Sequence, residues 1–334
     1  MPEIPFEGLY MGLEPTRGGA LTDPTNRLNM TGTIMPHQEV FRPEDQLGSL
    51  ALVGRSEIVR RWSTIEAEGA LDNWTLPILA NMVMGPVTTP TTPGVAVLSR
   101  LWTFLRVIGA DTIKSAKFWW GDPAFQMFLA SYAMADELGI EADASGTDGS
   151  TMTCNFTGQF LDDVAAPTLP GVSLSPLFVP KKMQVWMDTS SAIGTTELVA
   201  RVIKASHTIP TGVTYKYPAT GPAGGVTYSR TGRVATNPET TITLELLDMA
   251  QWALFENGDR VKLRVRHNGP KIETVSATDF YNYVEVDMYG ILDSPEWDSF
   301  EDSNRTINLT VVGEYEAGIG SDCRLAVQST RTTL

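Results

Sequence analysis

The chain has 334 residues, a formal net charge of −14 at pH 7 and only 19% charged residues. Its length suggests two modest domains, and an apolar content of 42% is enough to fill their cores. An acidic chain repels a phosphate backbone, which argues against an ordinary nucleic-acid-binding protein; by itself the charge indicates solubility.

The chain begins without a recognisable export signal, because residues 1–5 contain neither a basic region nor an apolar core. The longest apolar stretch, 76–87, is interrupted by two prolines and is shorter than the roughly 20 residues that span a bilayer. Cys154 and Cys323 could form one disulfide, but neither their spacing nor a secretory context supports it. We expect a protein made and kept in a reducing, soluble compartment.

Residues 1–30 are rich in Gly, Pro and Asn and predict an extended arm or ordered loop, either packed on a neighbour or disordered. Residues 64–68 then alternate between polar and apolar side chains, as a strand with one wet face does. A helix should begin near Asp72 or Thr75. Pro77 favours the later start, since proline is tolerated only in a first turn.

The middle of the chain is less regular. The aromatic stretch 118–134 fits either a strand pair or a buried helix, and four prolines mark 161–182 as a linker. Residues 199–217 and 226–234 predict a long two-stranded ribbon, joined by a mobile loop at 218–225.

The clearest strand is 241–246, whose apolar residues alternate with Thr and Glu. Asp248 is the expected N-cap of a helix of roughly ten residues, with an apolar stripe over 249–253 and Gly258 just beyond its end.

Three further strands are predicted after this helix. Residues 261–266 alternate strictly and should end in a turn at 267–270. Residues 283–288 and 306–315 follow as strands.

Three landmarks occur in the same order in both halves. Thr33, 64–68 and 151–160 match Thr208, 241–245 and 306–315, at offsets in numbering of 175, 177 and 155. Because repeats determine architecture, we interpret the chain as one duplicated all-β unit, with two unrelated neighbouring β domains as the alternative.

The sequence lacks the usual equipment of an enzyme. Of its three histidines, His37 and His207 fall at matching places beside the first landmark and predict a shared polar position at a strand end. No metal, nucleophile-elbow or P-loop motif occurs, and in 221–225 Pro222 removes an amide donor from any phosphate cradle. We therefore predict no catalytic, cofactor or metal site.

The order of these sequence segments in the second half resembles that in the tail tube proteins of long-tailed bacteriophages. No single motif carries the resemblance; the succession does, over Met183–Asp188, Gly194–Glu197, Thr211–Tyr217, Tyr228–Arg233, 241–246 and a helix with Trp252 and Phe255. The resemblance is strongest over 183–330 and weaker, through the repeat, over 30–160.

This resemblance implies a mainly all-β chain with two tandem tube-like β-sandwich or open-barrel domains, each with one short flanking helix. The expected division is an arm (1–30), a first domain (31–160), a linker (161–182) and a second domain (183–334). Such subunits form rings that stack into a virion tail tube, assembled in the host cytoplasm. Since six domains normally close a ring, three duplicated chains would suffice. The implied partners are other copies of the chain, the tape measure, tail terminator and distal tail proteins, and viral DNA that passes without specific binding. No membrane partner is implied.

On this interpretation polar strand faces line the channel, and their carboxylates keep DNA from adhering. The candidates for the lumen are Thr64, Glu66, Glu68, Thr241, Thr243, Glu245, Glu285 and Asp287, although an ordinary solvated face would look the same. The candidates for a ring-stacking loop are Pro218, Thr220, Gly221, Gly224 and Gly225.

Two other functions are considered. A receptor- or carbohydrate-binding β-sandwich of a tail or capsid decoration protein would need clustered exposed aromatic residues, for which Trp62, Trp119, Trp120 and Trp186 are available. A cell-surface adhesin-like domain pair is disfavoured by the missing export signal.

Overall fold

The computed structural model describes residues 8–42, 56–107, 111–173, 175–189, 192–218, 226–245, 250–293, 295–301 and 304–334. Strands dominate these ranges, and only two short α-helices accompany them, so the predicted all-β fold class is confirmed.

The strands of the first half are β1 Gly8–Leu13, β2 Asn26–Arg27, β3 Thr31–Phe41, β4 Glu57–Ala70, β5 Arg100–Leu105, β6 Ala116–Asp122, β7 Gln126–Asp143, β8 Thr151–Gly158 and β9 Asp162–Val164. Those of the second half are β10 Met183–Asp188, β11 Val202–Pro210, β12 Val213–Lys216, β13 Arg230–Arg233, β14 Glu239–Glu245, β15 Arg260–Val275, β16 Thr278–Leu292, β17 Glu296–Glu301, β18 Asn304–Gly313 and β19 Cys323–Ser329. The helices are α1 Leu76–Val83 and α2 Ala250–Asn257.

One antiparallel sheet, here called the long sheet, runs through both halves in the order β3-β4-β8-β7-β11-β14-β18-β17. Within this sheet the two halves meet where the end of β7 pairs with β11, from Glu137 opposite Pro210 to Asp143 opposite Lys204. The pairing of β5 with β19 joins the two halves a second time. The last residues of β16 also pair with β18.

Two smaller sheets complete the fold. The first back sheet has the order β2-β1-β6-β7-β9, and the second has the order β10-β15-β16-β19-β5. The apolar faces of all three sheets share one core, which includes Ile65 of the long sheet, Met11 of the first back sheet and Val265 of the second. Phe118 and Phe156 meet across the first half, with ring centroids 4.6 Å apart.

The strand pairing of the first half recurs in the second half, in the same chain order. The pairs β1·β6, β3·β4, β4·β8, β6·β7, β7·β8 and β7·β9 correspond to β10·β15, β11·β14, β14·β18, β15·β16, β16·β18 and β16·β19. This recurrence is what a duplicated unit would produce. Since the core and the long sheet are continuous, the division into two domains stays a prediction.

The register refines the landmarks that the sequence suggested. If Ile65 of β4 is matched with Ile242 of β14, as the second landmark requires, their partners on one side are Ile34 and Ala205. This register matches Ile34 with Ala205, whereas the sequence had matched Thr33 with Thr208. The first landmark was therefore displaced by four positions. On the other side the partners are Phe156 and Leu309, which displaces the third landmark by two positions. An even shift keeps every side chain on the same face, so alternation could not detect it.

Both helices begin or end as predicted where they are described. Thr75 is the N-cap of α1, with Pro77 in the first turn, which confirms the later start. The carboxylate of Asp72 accepts hydrogen bonds from the N–H groups of Trp74 and Thr75 at 2.7 and 3.2 Å. After α2, Gly258 has a left-handed φ of +65°, and the residues 246–249 with the expected cap lie outside the described residues. Neither helix, nor any other in the described ranges, is long and apolar enough to cross a membrane.

The first correction concerns residues 8–30, which are not an arm. Leu9 and Met11 of β1 are buried in the core, because β1 pairs along its whole length with β6. The aromatic stretch 118–134 is a strand pair, β6 and β7. The linker 161–182 is largely irregular, apart from β9 and a 3-10 turn at Pro180–Lys182.

Two other corrections concern the second half. The long ribbon is wrong, because β11 pairs with β7 and β14, and only the short strands β12 and β13 pair with each other. The turn at 267–270 is also wrong: β15 passes through it with register shifts and turns at Ser276 and Ala277. Polar turn residues thus mark bulges here, which local sequence does not distinguish from a turn.

Two histidines are buried in the core of the second half. His207 of β11 and His267 of β15 have ring centroids 6.0 Å apart. Nδ1 of His207 lies 2.9 Å from Oγ1 of Thr240, whereas its Nε2 and both ring nitrogens of His267 lack a hydrogen-bond partner among the described residues. Burial lowers the pKa of His207 to about 3, with His267 adding to the effect, and burial lowers the pKa of His267 to about 4. Both rings are therefore neutral at pH 7.

The predicted match between His37 and His207 is wrong. By the structural register the counterpart of His207 is Pro36. His37 points away from the core and stacks on Trp62, with ring centroids 5.4 Å apart.

We predict that acid destabilises the fold through the buried histidines. The unfolded chain binds protons near pH 6.5 and the folded chain does not, so each histidine removes about 1.4 kcal/mol of stability per pH unit below that value. When the pH falls from about 6 to about 5, the free energy of unfolding in urea should fall by about 1.4 kcal/mol less for His267→Phe than for the natural chain. Val265→Ala changes the same core without removing an imidazole, so it serves as the control and should keep the natural slope. Equal slopes for all three proteins would contradict the prediction.

Candidate functional site

The strongest candidate site is the face of the long sheet that points away from the core. In β4, Ile65 and Ala67 are buried while Glu66 and Glu68 are exposed. In β14, Ile242 and Leu244 are buried, whereas Thr241, Thr243 and Glu245 are partly exposed. The predicted alternation is therefore confirmed in both strands. It follows from the period of two in an extended chain.

This polar face is continuous from one half of the chain to the other. Paired residues of neighbouring antiparallel strands point to the same side of a sheet, so the register places them in rows. The rows are Thr33-Glu66-Asn155-Glu137-Pro210, Thr31-Glu68-Thr153-Gly139-Thr208-Glu239, Glu141-Ser206-Thr241-Thr310, and Asp143-Lys204-Thr243-Asn308. The six predicted residues of β4 and β14 thus share one surface, although they lie in opposite halves of the chain.

The polar face is strongly acidic. Its described carboxylates include those of Glu39, Glu66, Glu68, Glu137, Glu141, Asp143, Glu239, Glu245 and Glu296. The cations on the same described rows are Arg60 and Lys204. Lys204 Nζ lies 2.5 Å from Oε1 of Glu141, which raises the pKa of Lys204, and Arg60 lies 3.6 Å from Glu39. Because both pairs are exposed, they contribute little stability, and the excess of negative charge faces solvent.

Side-chain hydrogen bonds order the uncharged part of this face. Oγ1 of Thr241 lies 2.8 Å from Oγ1 of Thr310, and Oγ1 of Thr243 donates to Oδ1 of Asn308 at 2.6 Å. These cross-strand pairs hold short polar side chains against the backbone. The uncharged part of this face, on β14 and β18, is therefore wet and made of short side chains.

The sequence reasoning missed the acidic residues of β7. Glu137, Glu141 and Asp143 alternate with buried Leu138 and Ile140, the signal that identified β4 and β14. The preceding aromatic stretch concealed it.

Asp136 was also missed, and it lies at a register shift of β7. It accepts hydrogen bonds from the hydroxyls of Tyr215 and Thr157, at 2.7 and 2.8 Å. Burial raises the pKa of its carboxyl, and the two hydrogen bonds oppose that rise. This carboxylate therefore ties the β12–β13 hairpin to β7 and is not a free charge on the polar face.

Glu285 and Asp287 do not belong to this face, which corrects their assignment. They lie on β16 in the second back sheet and are only 2% and 1% exposed. Asp287 accepts two hydrogen bonds from Arg264, at 2.7 and 2.8 Å, and one from Arg324 at 2.6 Å. Glu285 pairs with Arg266 and Arg324. The alternation predicted which side they face within their strand, but arginines on the neighbouring strands β15 and β19 cover them.

The predicted stacking loop is largely untested. Pro218 is exposed at its start, and the other four candidates, Thr220, Gly221, Gly224 and Gly225, lie outside the described residues.

The described residues offer little to other chemistries. They contain no group of three or more His, Cys, Asp or Glu side chains that could hold a metal ion. Cys154 and Cys323 are free and buried, and burial raises the pKa of both thiols. The four tryptophans of the binding alternative do not share one cleft, because they lie on three sheets: Trp62 on the long sheet, Trp119 and Trp120 on the first back sheet, and Trp186 on the second.

Comparison of the chain with models of known protein families and with curated protein sequences found no match.

The two kinds of carboxylate should respond differently to neutralisation. Asp287→Asn leaves arginine charges without their buried partner and should destabilise the protein by about 3 kcal/mol or more. Glu66→Gln removes an exposed charge and should change the free energy of unfolding by at most about 0.5 kcal/mol. Urea unfolding at neutral pH measures both. Similar values for the two variants would contradict the assignment of the charges to separate environments.

Proposed function

We propose that this chain is a structural virion protein that forms the stacked rings of a phage tail tube, the conduit for DNA ejection. One observation carries the proposal: a single sheet runs through both halves, buried on one side and acidic on the other, with an edge strand at each end. A wall of this kind separates an apolar interior from a water-filled bore. The resemblance to tail tube proteins in the order of elements supports the same function.

The pairing of β7 with β11 supports assembly through sheet edges. Here the chain joins two similarly paired units by backbone pairing, from Glu137 to Asp143 on one side and Lys204 to Pro210 on the other. A closed ring made in the same manner would leave no edge open to uncontrolled pairing. Three chains would then supply six units.

The acidity of the polar face suits a bore through which DNA slides. DNA binds proteins largely because cations replace its condensed counterions. A surface on which carboxylates greatly outnumber cations offers no such exchange, and it repels the phosphates instead. Threonine, serine and asparagine side chains between the carboxylates keep the wall hydrated.

The proposal also extends to the protein's surroundings. The chain would be assembled in the host cytoplasm and reside in the virion tail. Its partners would be further copies of itself, the tape measure protein and the proteins that terminate the tube at either end.

Electron microscopy of the concentrated, purified protein tests the proposal directly. We expect hollow tubes or short stacked rings in negative stain, with class averages showing six units around a central hole. A protein that stays monomeric at every concentration and ionic strength would overturn the proposed function.

Reversing the charge of the polar face should impede DNA without preventing assembly. Glu66→Lys, Glu68→Lys and Glu245→Lys together turn three repelling groups into three phosphate partners. Virions with these changes should form tubes and eject DNA slowly or incompletely. Ejection is measured by the release of nuclease-sensitive DNA after triggering.

A matched control changes three exposed carboxylates outside the polar face, Asp148, Asp162 and Asp259, to lysine. The control alters the net charge equally and should eject normally. Normal ejection by both variants would refute the acidic bore, even if tubes form.

A further inference from the structure

The contact inside the chain provides a template for a contact between chains. In the recurring pairing, β3 is the counterpart of β11, since they pair with β4 and β14. The long strand β7 corresponds to β16 followed by β17, and the end of β7 corresponds to β17, since these two segments pair with β8 and β18. Glu137 is opposite Asn155, and Glu296 is opposite Asn308, which is the counterpart of Asn155 in the recurring pairing. The two strands that join within the chain therefore have counterparts at the two ends of the long sheet.

Both counterparts are edge strands. Among the described residues, β3 pairs with β4 alone and β17 pairs with β18 alone. Met35 and Phe41 on β3 are 55% and 60% exposed, and Trp297 on β17 is 47% exposed. A long edge strand with exposed apolar side chains is prone to pair with another chain. Features that discourage indiscriminate pairing are present on both edges, namely Pro36 on β3 and a register shift on β17, so a partner strand must match them.

The surroundings of these strands differ between the two halves. In the first half, the hairpin of β12 and β13 lies next to β7 and β4. Tyr228 near its base is buried, and its hydroxyl donates to the carbonyl oxygen of Thr157 at 3.0 Å. The N–H of Arg61 donates to the carbonyl oxygen of Val226 at 2.9 Å, and Arg60 lies over the ring of Tyr217.

In the second half the corresponding position is an open cleft of about 600 Å³. Its walls include Asn237 and Gly313, which the recurring pairing makes the counterparts of Arg60 and Phe160. Tyr315 and Val234 also line it, and more than half of each side chain is exposed. The hairpin of β12 and β13 thus covers a surface of the first half whose counterpart in the second half is open to solvent.

We infer that two copies of this chain join by antiparallel pairing of β3 of one copy with β17 of the other, and that the cleft receives the copy that supplies β3. The inference rests on the proposed function and specifies its ring contact. The internal register places Pro210 opposite Glu137. In the recurring pairing, Glu39 is the counterpart of Pro210 and Glu296 is the counterpart of Glu137. The same register between two copies therefore places Glu39 opposite Glu296. Arg60, 3.6 Å from Glu39, supplies a positive charge beside these two carboxylates.

A cysteine pair tests the strand pairing. Residues directly opposite in antiparallel strands have Cα atoms about 4.5–5.5 Å apart, which suits a disulfide. The full chain with Glu39→Cys and Glu296→Cys should, after oxidation of assembled rings, give covalent dimers and trimers that dithiothreitol reverses. The control, Glu66→Cys with Glu296→Cys, moves one cysteine a strand away from the edge and should stay monomeric on a non-reducing gel.

The outcomes separate this inference from the proposed function. Cross-linked trimers from the edge pair alone support the inference. Rings or tubes that form but do not cross-link, or that cross-link equally in the control, overturn it and leave the tube function standing. A natural chain that never forms rings overturns the tube function itself.

A substitution in the cleft tests its role independently of the strands. Tyr315→Glu places a charge in the cleft and should weaken association at least about tenfold in sedimentation equilibrium. Val199→Glu changes a side chain that is 67% exposed outside the cleft and should associate like the natural chain. Unchanged association of Tyr315→Glu overturns the assignment of the cleft.

Discussion

The continuity of the long sheet depends on the pairing of β7 with β11. Seven residues on each strand are paired in register, so that two similarly built units share one sheet. Backbone groups must find partners wherever they leave water, and this contact provides them without requiring particular side chains. Because the strands align in register, polar residues from both units fall into the same rows. The continuity of the acidic face is therefore a consequence of this one contact.

The carboxylates of this chain occur in two opposite environments. On the long sheet they stay in water, separated by hydroxyl and amide side chains, and two described ion pairs neutralise part of the charge. On the second back sheet, Glu285 and Asp287 are withdrawn from water and surrounded by three arginines. Burial of a charge is costly unless it is paired, so the second arrangement is structural. The first leaves its field directed outward, where it can act on a charged polymer.

The asymmetry between the two halves concerns what covers them. The hairpin of β12 and β13 closes the side of the first unit with buried Tyr228, whereas the equivalent side of the second unit is a cleft. The strands at the ends of the long sheet are likewise the counterparts of strands that are paired inside the chain. The strands β7 and β11 are paired inside the chain, whereas their counterparts at the ends of the long sheet have one free edge each among the described residues. Such a molecule is suited to repeat the internal pairing with further copies.

Much of the fold was predictable from local pattern, because alternation and helix boundary signals act within a few residues. The strand over 241–245, the proline in the first turn of α1 and the glycine after α2 were all identified correctly, as was the wet side of β4 and β14. The sequence could not determine which strands become neighbours, since that depends on contacts between residues far apart in the chain. Hence Glu285 and Asp287 were assigned to the wrong surface, β1 was taken for an arm, and Glu137 was overlooked. The face of a side chain within its strand is a local property, but the surface it joins is decided by strand order and register, which only the tertiary structure sets.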